Sequence, residues 1–186
     1  MNLTISHITS PRLNAVMAGI GEGGHIRLHE AMGTEVQRLT RDHLNLLAAS
    51  RHTTAAKLGA APSNHLAQAA EKMELSADAS SATLTLNHPG MVRALRDVTI
   101  VPREAKSLAI PIHALAYNRR PAQIWESLNL FIPKGKNVIC MPGKTITALY
   151  VLVRSVTQKQ DRTLLPSDEN FQKAAATGAG NYIRNL

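Results

Sequence analysis

The segment from Thr145 to Val156 constrains the fold of this chain more than any other. It is rich in β-branched residues, lacks Gly and Pro, and carries apolar side chains at both odd and even positions. Side chains alternate between the two faces of a strand, so this pattern predicts a strand that is covered on both sides. We therefore expect a central strand of a sheet, with the rest of the fold arranged to cover it.

A capped C-terminal helix is predicted directly after this strand. Pro166 ends the extended segment, and Ser167 is a residue type that caps helix N-termini. Asp168 and Glu169 would then lie in the first turn, where carboxylates interact favourably with the helix dipole.

A long N-terminal helix is predicted from about His25 to Ser50. Apolar residues recur there at spacings of three and four, and the stripe consists of Met32, Val36, Leu39, His43, Leu46 and Leu47. We expect this helix to pack on one face of the central strand. Residues 51–62 mix small and basic residues without periodicity and predict a mobile loop, after which Ser63 or Asn64 caps a second, shorter helix.

Short strands are predicted at 83–86, 98–101, 108–113 and 137–141. Pro142-Gly143 turns the last of these into the central strand as a hairpin, and Pro111 favours an edge position because it lacks a ladder donor. The sequence thus predicts the α+β class: an antiparallel sheet of about four to five strands packed by the long helix, with a second and a C-terminal helix. We expect a single domain over residues 1–186, with 1–24 as an N-terminal arm.

The positive charge is unevenly distributed along the chain. The net charge is +8, and the whole excess lies between His88 and Arg162. Such asymmetry favours a polyanion or an acidic partner. The alternative is that these residues are ordinary solvated loops and strand edges, since basic side chains also protect edges from pairing.

No catalytic or metal-binding motif is recognisable in the sequence. His25 and His29 stand four apart, but no third ligand completes a site, and Cys140 is the single cysteine. His43 lies on the apolar stripe and is interpreted as a hydrogen-bonded residue at the edge of the core. We expect no enzymatic activity, no metal and no cofactor. No apolar run approaches the roughly 20 residues that span a bilayer, and the N-terminus lacks the layout of a signal peptide.

Several stretches resemble the phage virion morphogenesis family, the neck and tail-completion proteins of tailed bacteriophages. They are His88-Pro89-Gly90, Leu108–Tyr117, Leu130–Lys134, Tyr150–Gln158 and Leu164–Glu169. The resemblance covers roughly residues 25–175. It implies a structural α+β protein of the virion, assembled in the host cytoplasm as a hexameric ring at the head–tail junction. Its partners would be head–tail connector, tail terminator or tail tube proteins, with no membrane.

The basic loop residues are the candidate functional side chains under this resemblance. We expect them to line a DNA channel through phosphate contacts or to bind acidic partners, and they are Arg93, Arg96, Arg119, Arg120, Lys134 and Lys136. A basic DNA-binding accessory protein without enzymatic activity is the alternative. Against it, the predicted helices are neutral and the strands basic, which is opposite to a recognition helix in a major groove.

Overall fold

The computed structural model of the protein describes residues 2–6, 15 and 18–186. These residues adopt an α+β fold with small antiparallel sheets, a long N-terminal helix and a C-terminal helix, so the predicted class is confirmed. In chain order the elements are β1 (Asn2–Ser6), α1 (Glu22–Ser50), α2 (Thr53–Leu58), α3 (His65–Glu71), β2 (Met73–Ala77), β3 (Ser81–Leu86), α4 (Pro89–Ala94), β4 (Val98–Ile100), β5 (Leu108–Pro111), α5 (Pro121–Ile124), β6 (Val138–Met141), β7 (Thr147–Val153), β8 (Val156–Gln158) and α6 (Asp168–Arg184).

The chain divides into two compact units. The first unit comprises Met1–Ala49, His65–Leu95 and Asp161–Leu186, and the second comprises Ser50–Asn64 and Arg96–Gln160. Each unit has its own cluster of buried apolar residues, and the two clusters share no member. The single domain over residues 1–186 stays a prediction.

The first unit is built on α1 and an antiparallel sheet of order β1-β3-β2. Five residues spaced four apart form the buried stripe of α1, namely Leu28, Met32, Val36, Thr40 and Leu44. The helix belongs to the same core as β2, β3 and α6, through residues such as Met73, Leu84 and Ala175. Leu149 and Tyr150 of the central strand belong to the core of the second unit, so the packing of α1 on that strand stays a prediction.

Two residues mark how the predicted stripe of α1 differs from the observed one. Leu46 was predicted to face the core but is 66% exposed, whereas Leu44, which the prediction omitted, is fully buried. Leu44 continues the run of buried residues at spacings of four, and Leu46, two residues further on, lies on the side of the helix opposite to Leu44.

The C-terminal helix α6 forms as the sequence predicted. The Ser167 hydroxyl accepts a hydrogen bond from the Asn170 N–H at 3.3 Å, and Asp168 and Glu169 lie in the first turn. Gly178 brings α6 close to α1, since a Cβ atom there would overlap the Ala31 carbonyl oxygen and lie 2.8 Å from the Met32 Cα.

The second unit contains a three-stranded antiparallel sheet of order β5-β7-β6. The central position of β7 and its hairpin with β6 are confirmed. Leu149 and Tyr150 are both fully buried, near a register shift in the β6–β7 pairing that bends the ladder. The strand ends at Val153, earlier than predicted, and the last predicted residue, Val156, belongs to β8, which pairs with β4 in a separate two-stranded sheet.

The edge position of β5 is also as predicted. Ile110 pairs with Val151, and the Ile112 N–H bonds to the Leu149 carbonyl at 2.9 Å. Pro111 lies between these two hydrogen-bonded positions, so its missing N–H removes no bond to β7. On the open edge it leaves a neighbouring strand one donor fewer to pair with.

Several local predictions need correction. The predicted loop 51–62 contains the helix α2, with Ala55 buried and Gly59 ending the helix at a positive φ of 62°. The sequence also predicts a polar turn at 76–81 and a turn at His88-Pro89-Gly90. A turn does lie within the first range, at residues 78–80, where it joins β2 and β3 as a hairpin. At the second, the helix α4 begins instead. The strands form three small sheets instead of one sheet of about four to five.

The predicted N-terminal arm 1–24 is only partly described. Its strand β1 pairs with β3 in the first unit. Ser10 and Pro11 are typical of a helix start, and the short helix that they predict to about Ile20 lies largely outside the described residues.

Candidate partner-binding surface

The two units differ in charge. The second unit carries 12 Lys and Arg against 3 Asp and Glu, whereas the first carries 9 against 10. All twelve basic residues of the second unit are exposed. The excess that the sequence placed between His88 and Arg162 is thus a property of one unit.

The six predicted basic residues lie in four separate segments. Arg93 is on α4 in the first unit, and its side chain lies outside the described part of the structure. Arg96 is exposed in the segment between α4 and β4. The remaining four belong to two loops of the second unit, which flank α5 and β6.

Arg119 and Arg120 precede α5 in a loop that is fixed to the core. The buried Tyr150 hydroxyl donates to the Arg119 carbonyl at 3.1 Å and approaches the Ala116 carbonyl at 3.5 Å. Burial raises the pKa of this hydroxyl, and the Arg119 guanidinium opposes the shift. The Gln123 side-chain oxygen accepts a hydrogen bond from the Arg120 backbone N–H at 2.7 Å. Hydrogen bonds therefore hold the backbone at both Arg119 and Arg120.

Lys134 and Lys136 project from a tight turn before β6. The Lys136 N–H bonds to the Pro133 carbonyl at 3.1 Å, and Gly135 has a φ of 73°, a conformation that glycine adopts without strain. Both lysines are exposed. The turn therefore presents two ammonium groups next to the first residue of β6.

Three basic side chains border one end of the β5-β7-β6 sheet. Leu108 at the start of β5 pairs with Val153 at the end of β7, and the Leu152 N–H bonds to the Asn137 carbonyl before β6. The starts of β5 and β6 and the end of β7 therefore meet. The exposed basic residues at this end are Lys106, Lys136 and Arg154.

Of these three, the sequence reasoning selected only Lys136. The strands next to Lys106 and Arg154 were predicted, but the pairing between these strands was not. A pairing of 108–113 with the central strand would have placed Lys106 and Arg154 at one sheet end.

One face of this sheet is apolar and only partly covered. Cross-strand pairing aligns Ile110, Val151 and Val138 in one row, with Leu108 and Val153 in the next. Ile110 is 37% exposed and the other four are half-buried. None of the five belongs to either core cluster of the described residues, whereas Tyr150 and Leu152 on the opposite face belong to the second core.

Two histidines of the first unit, His29 and His43, lie within hydrogen-bonding distance of backbone carbonyl groups. The His43 Nε2 lies 3.0 Å from the Thr163 carbonyl, so its interpretation as a hydrogen-bonded residue at the core edge is confirmed. His29 is fully buried, and its Nδ1 lies 3.0 Å from the Asp78 carbonyl in the β2–β3 turn. No group of three or more His, Cys, Asp or Glu side chains in the described ranges is arranged to hold a metal ion.

His65 and His88 form a pair of imidazoles in the first unit. Their ring centroids are 6.5 Å apart, with His65 at the start of α3 and His88 capping α4. Burial, and then the proximity of His88, lowers the pKa of His65. The neutral form of His65 is therefore favoured.

Comparisons with protein-family models, with curated proteins and with solved structures found no match to this chain. Within the part of the chain that the structure describes, no helix is both long enough and apolar enough to cross a membrane. The candidate functional surface is accordingly defined by its own chemistry, namely a partly exposed apolar sheet face bordered by basic side chains.

Proposed function

We propose that this protein is a structural component of a tailed-bacteriophage particle, forming a hexameric ring at the head–tail junction that is needed to join head and tail. A subunit at this position must match the symmetry of a tube, which calls for a cyclic, heterologous interface between copies. The role requires no catalysis.

The observation that carries the proposal is the resemblance of particular stretches to the phage virion morphogenesis family. Three of them contribute to the second unit: Leu108–Tyr117 contains β5, Leu130–Lys134 leads to β6, and Tyr150–Gln158 contains β8. The α+β class that the resemblance implies is the class observed. Of these stretches, Leu108–Tyr117 and Tyr150–Gln158 overlap the strands β5 and β7 of the sheet that bears the candidate surface.

The positive charge of the second unit is the physical support for a position near DNA or an acidic neighbour. If the copies surround a channel, exposed residues such as Arg119, Arg120 and Lys134 would attract the duplex through its phosphates without reading bases. The contacts must be weak and salt-sensitive, because DNA has to pass through the channel.

Cryo-electron microscopy of assembled particles tests the ring. We expect a closed ring of copies of this chain at the junction, and an isolated copy or none would contradict the proposal. The same map separates the two uses of the charge. If most of the six predicted basic side chains contact protein and none faces the channel, the channel-lining role is wrong while the ring remains.

A basic DNA-binding accessory protein is the second candidate. It is favoured by one observation, namely that all twelve basic residues of the second unit are exposed. Measuring the mass of the purified chain with and without mixed-sequence duplex DNA distinguishes the two. Tight binding by a monomer would favour the accessory protein, whereas rings with weak DNA binding favour the head–tail component.

A further inference from the structure

We infer that the apolar face of the β5-β7-β6 sheet is a docking surface for an acidic protein partner. The face consists of Leu108, Ile110, Val138, Val151 and Val153, and its basic border consists of Lys106, Lys136 and Arg154. This inference goes beyond the proposed function and does not depend on it, because it concerns one surface within the second unit.

The apolar part of the surface has the geometry of a protein interface. The row Ile110–Val151–Val138 crosses all three strands, so the aliphatic side chains are contiguous. Ile112 beyond the end of β5 is 42% exposed and extends the same alternation. A contiguous and partly exposed apolar face bordered by charged residues is typical of a binding site, whereas single exposed apolar residues are ordinary.

The positive charge at the border of the face favours an acidic partner. Asp97, Glu104 and Glu126 are the acidic residues of the second unit, and none lies in the three strands or within two residues of their ends. In the described structure, none of the Lys and Arg residues of the border forms an ion pair. Complementary potentials across an interface set specificity and accelerate association, so the matching partner carries Asp and Glu around an apolar centre.

Two other occupants fit the face less well. A second copy of this unit would bring its own excess of basic over acidic residues against the first, and like charges oppose such pairing. A nucleic acid would use the basic border but would gain nothing from five aliphatic side chains, because its binding depends on phosphate contacts and aromatic stacking.

The test starts with selection of peptides from a displayed random library on the immobilised full chain. We expect the enriched peptides to combine Asp or Glu with large apolar residues. The counter-target is the double variant Ile110→Thr/Val151→Thr, which keeps a β-branched side chain at both positions but makes the face polar. Peptides that enrich on the wild type should not enrich on this variant.

Fluorescence anisotropy with a synthetic copy of the most enriched peptide then gives the size of the effect. We expect the double variant to bind about tenfold more weakly or worse, as for loss of a central apolar anchor. Lys136→Glu should also weaken binding. The matched controls Ile146→Thr and Lys159→Glu should bind like the wild type, since Ile146 is 66% exposed but outside the face, and Lys159 follows β8.

Circular dichroism melting establishes that the variants are folded. If the double variant does not fold, Ile110→Thr alone carries the comparison, because Ile110 lies on an edge strand and is partly exposed. The inference is wrong if no acidic apolar peptide is enriched, or if the face variants bind the peptide like the wild type.

Two further outcomes would overturn the inference in favour of another occupant. One is a wild-type dimer in sedimentation that becomes monomeric in the double variant, which would assign the face to a second copy. The other is mixed-sequence duplex DNA that displaces the peptide and is lost with Lys136→Glu, which would assign the surface to nucleic acid. Neither outcome bears on the ring at the head–tail junction, which the particle map tests separately.

Discussion

The first unit places fourteen described residues in its buried cluster and the second places six. Their surfaces differ in the opposite sense. The first unit has nearly balanced charge and pairs Arg38 with both Glu35 and Asp42 on α1. Among the described residues, seven of the ten large apolar side chains that are exposed belong to the second unit, and they are Val101, Ile110, Ile112, Leu115, Trp125, Ile132 and Ile146.

This contrast suggests that the first unit contributes more to stability and that the surface of the second contributes more to binding. Exposed apolar area and unbalanced charge both disfavour an isolated compact unit, and both are relieved when a complementary partner covers them. The first unit therefore has the larger buried core, and the second unit is the one on which we propose the partner-binding surface. Substitutions in the first unit should change stability, whereas those on the surface of the second should change binding.

The largest effect is expected where α6 approaches α1. In Gly178→Ala the new methyl group would overlap the backbone at Ala31 and Met32, and backbone has little freedom to yield. We expect the free energy of unfolding to fall by about 2 kcal/mol or more. Urea denaturation followed by far-UV circular dichroism measures it.

The control for this substitution lies in the same helix. A methyl group at Gly180 would meet nothing within 4 Å. Gly180→Ala should raise the free energy of unfolding by about 0.5 to 1 kcal/mol, since Ala has the higher helix propensity. Equal effects of the two substitutions would show that the close helix contact is not made.

A smaller effect is expected from the buried hydroxyl of the second unit. Tyr150→Phe removes the hydrogen bond to the Arg119 carbonyl and leaves that acceptor without its partner. We expect a loss of about 1 kcal/mol in the free energy of unfolding, measured by urea denaturation. Tyr117→Phe serves as the control, because the Tyr117 side chain is only half-buried and belongs to neither core. A loss no greater than in that control would contradict the anchoring of the Arg119 loop.

The smallest effect concerns the pH dependence of the first unit. The pKa of His65 is lowered from 6.5 by burial and by His88, so the unfolded chain binds the proton more readily. The associated stability is fully present above pH 6.5 and is lost as the pH falls below that value. We expect the melting temperature to decline on acidification, and less so in His65→Gln. His52→Gln is the control and should decline like the wild type. If the melting temperature of His65→Gln also declines as much as that of the wild type, His65 is not the origin of the pH dependence.

The sequence predicted those features that depend on local patterns. The cap at Ser167, the central position of β7, the edge position of β5 and the α+β class follow from residue types and periodicity. Missed elements lacked such a signal. The strand β2 contains no β-branched residue, and α2 is a short Ala-containing segment that ends at a left-handed Gly59.

The candidate surface required information that periodicity does not contain. The pattern of β7 indicated apolar residues on both faces, and Val151 was expected to be buried. In β7 only Leu149 and Tyr150 are fully buried, and Val151 is half-buried. Pairing between distant strands brings Lys106 and Arg154 to one sheet end, and a single sequence without its strand register does not reveal such pairing.

Urea unfolding of the wild-type chain, followed with two probes, tests most directly whether the units differ as described. Fluorescence of Trp125, the single tryptophan, reports on the second unit, and far-UV circular dichroism reports chiefly on helices such as α1 and α6 of the first. We predict that the fluorescence transition has its midpoint at a lower urea concentration than the circular dichroism transition. The second unit has the smaller buried core, and its excess of positive charges is mutually repulsive. Added salt should raise that midpoint more than the other, since it screens the repulsion. Coincident transitions with the same response to salt would contradict the account.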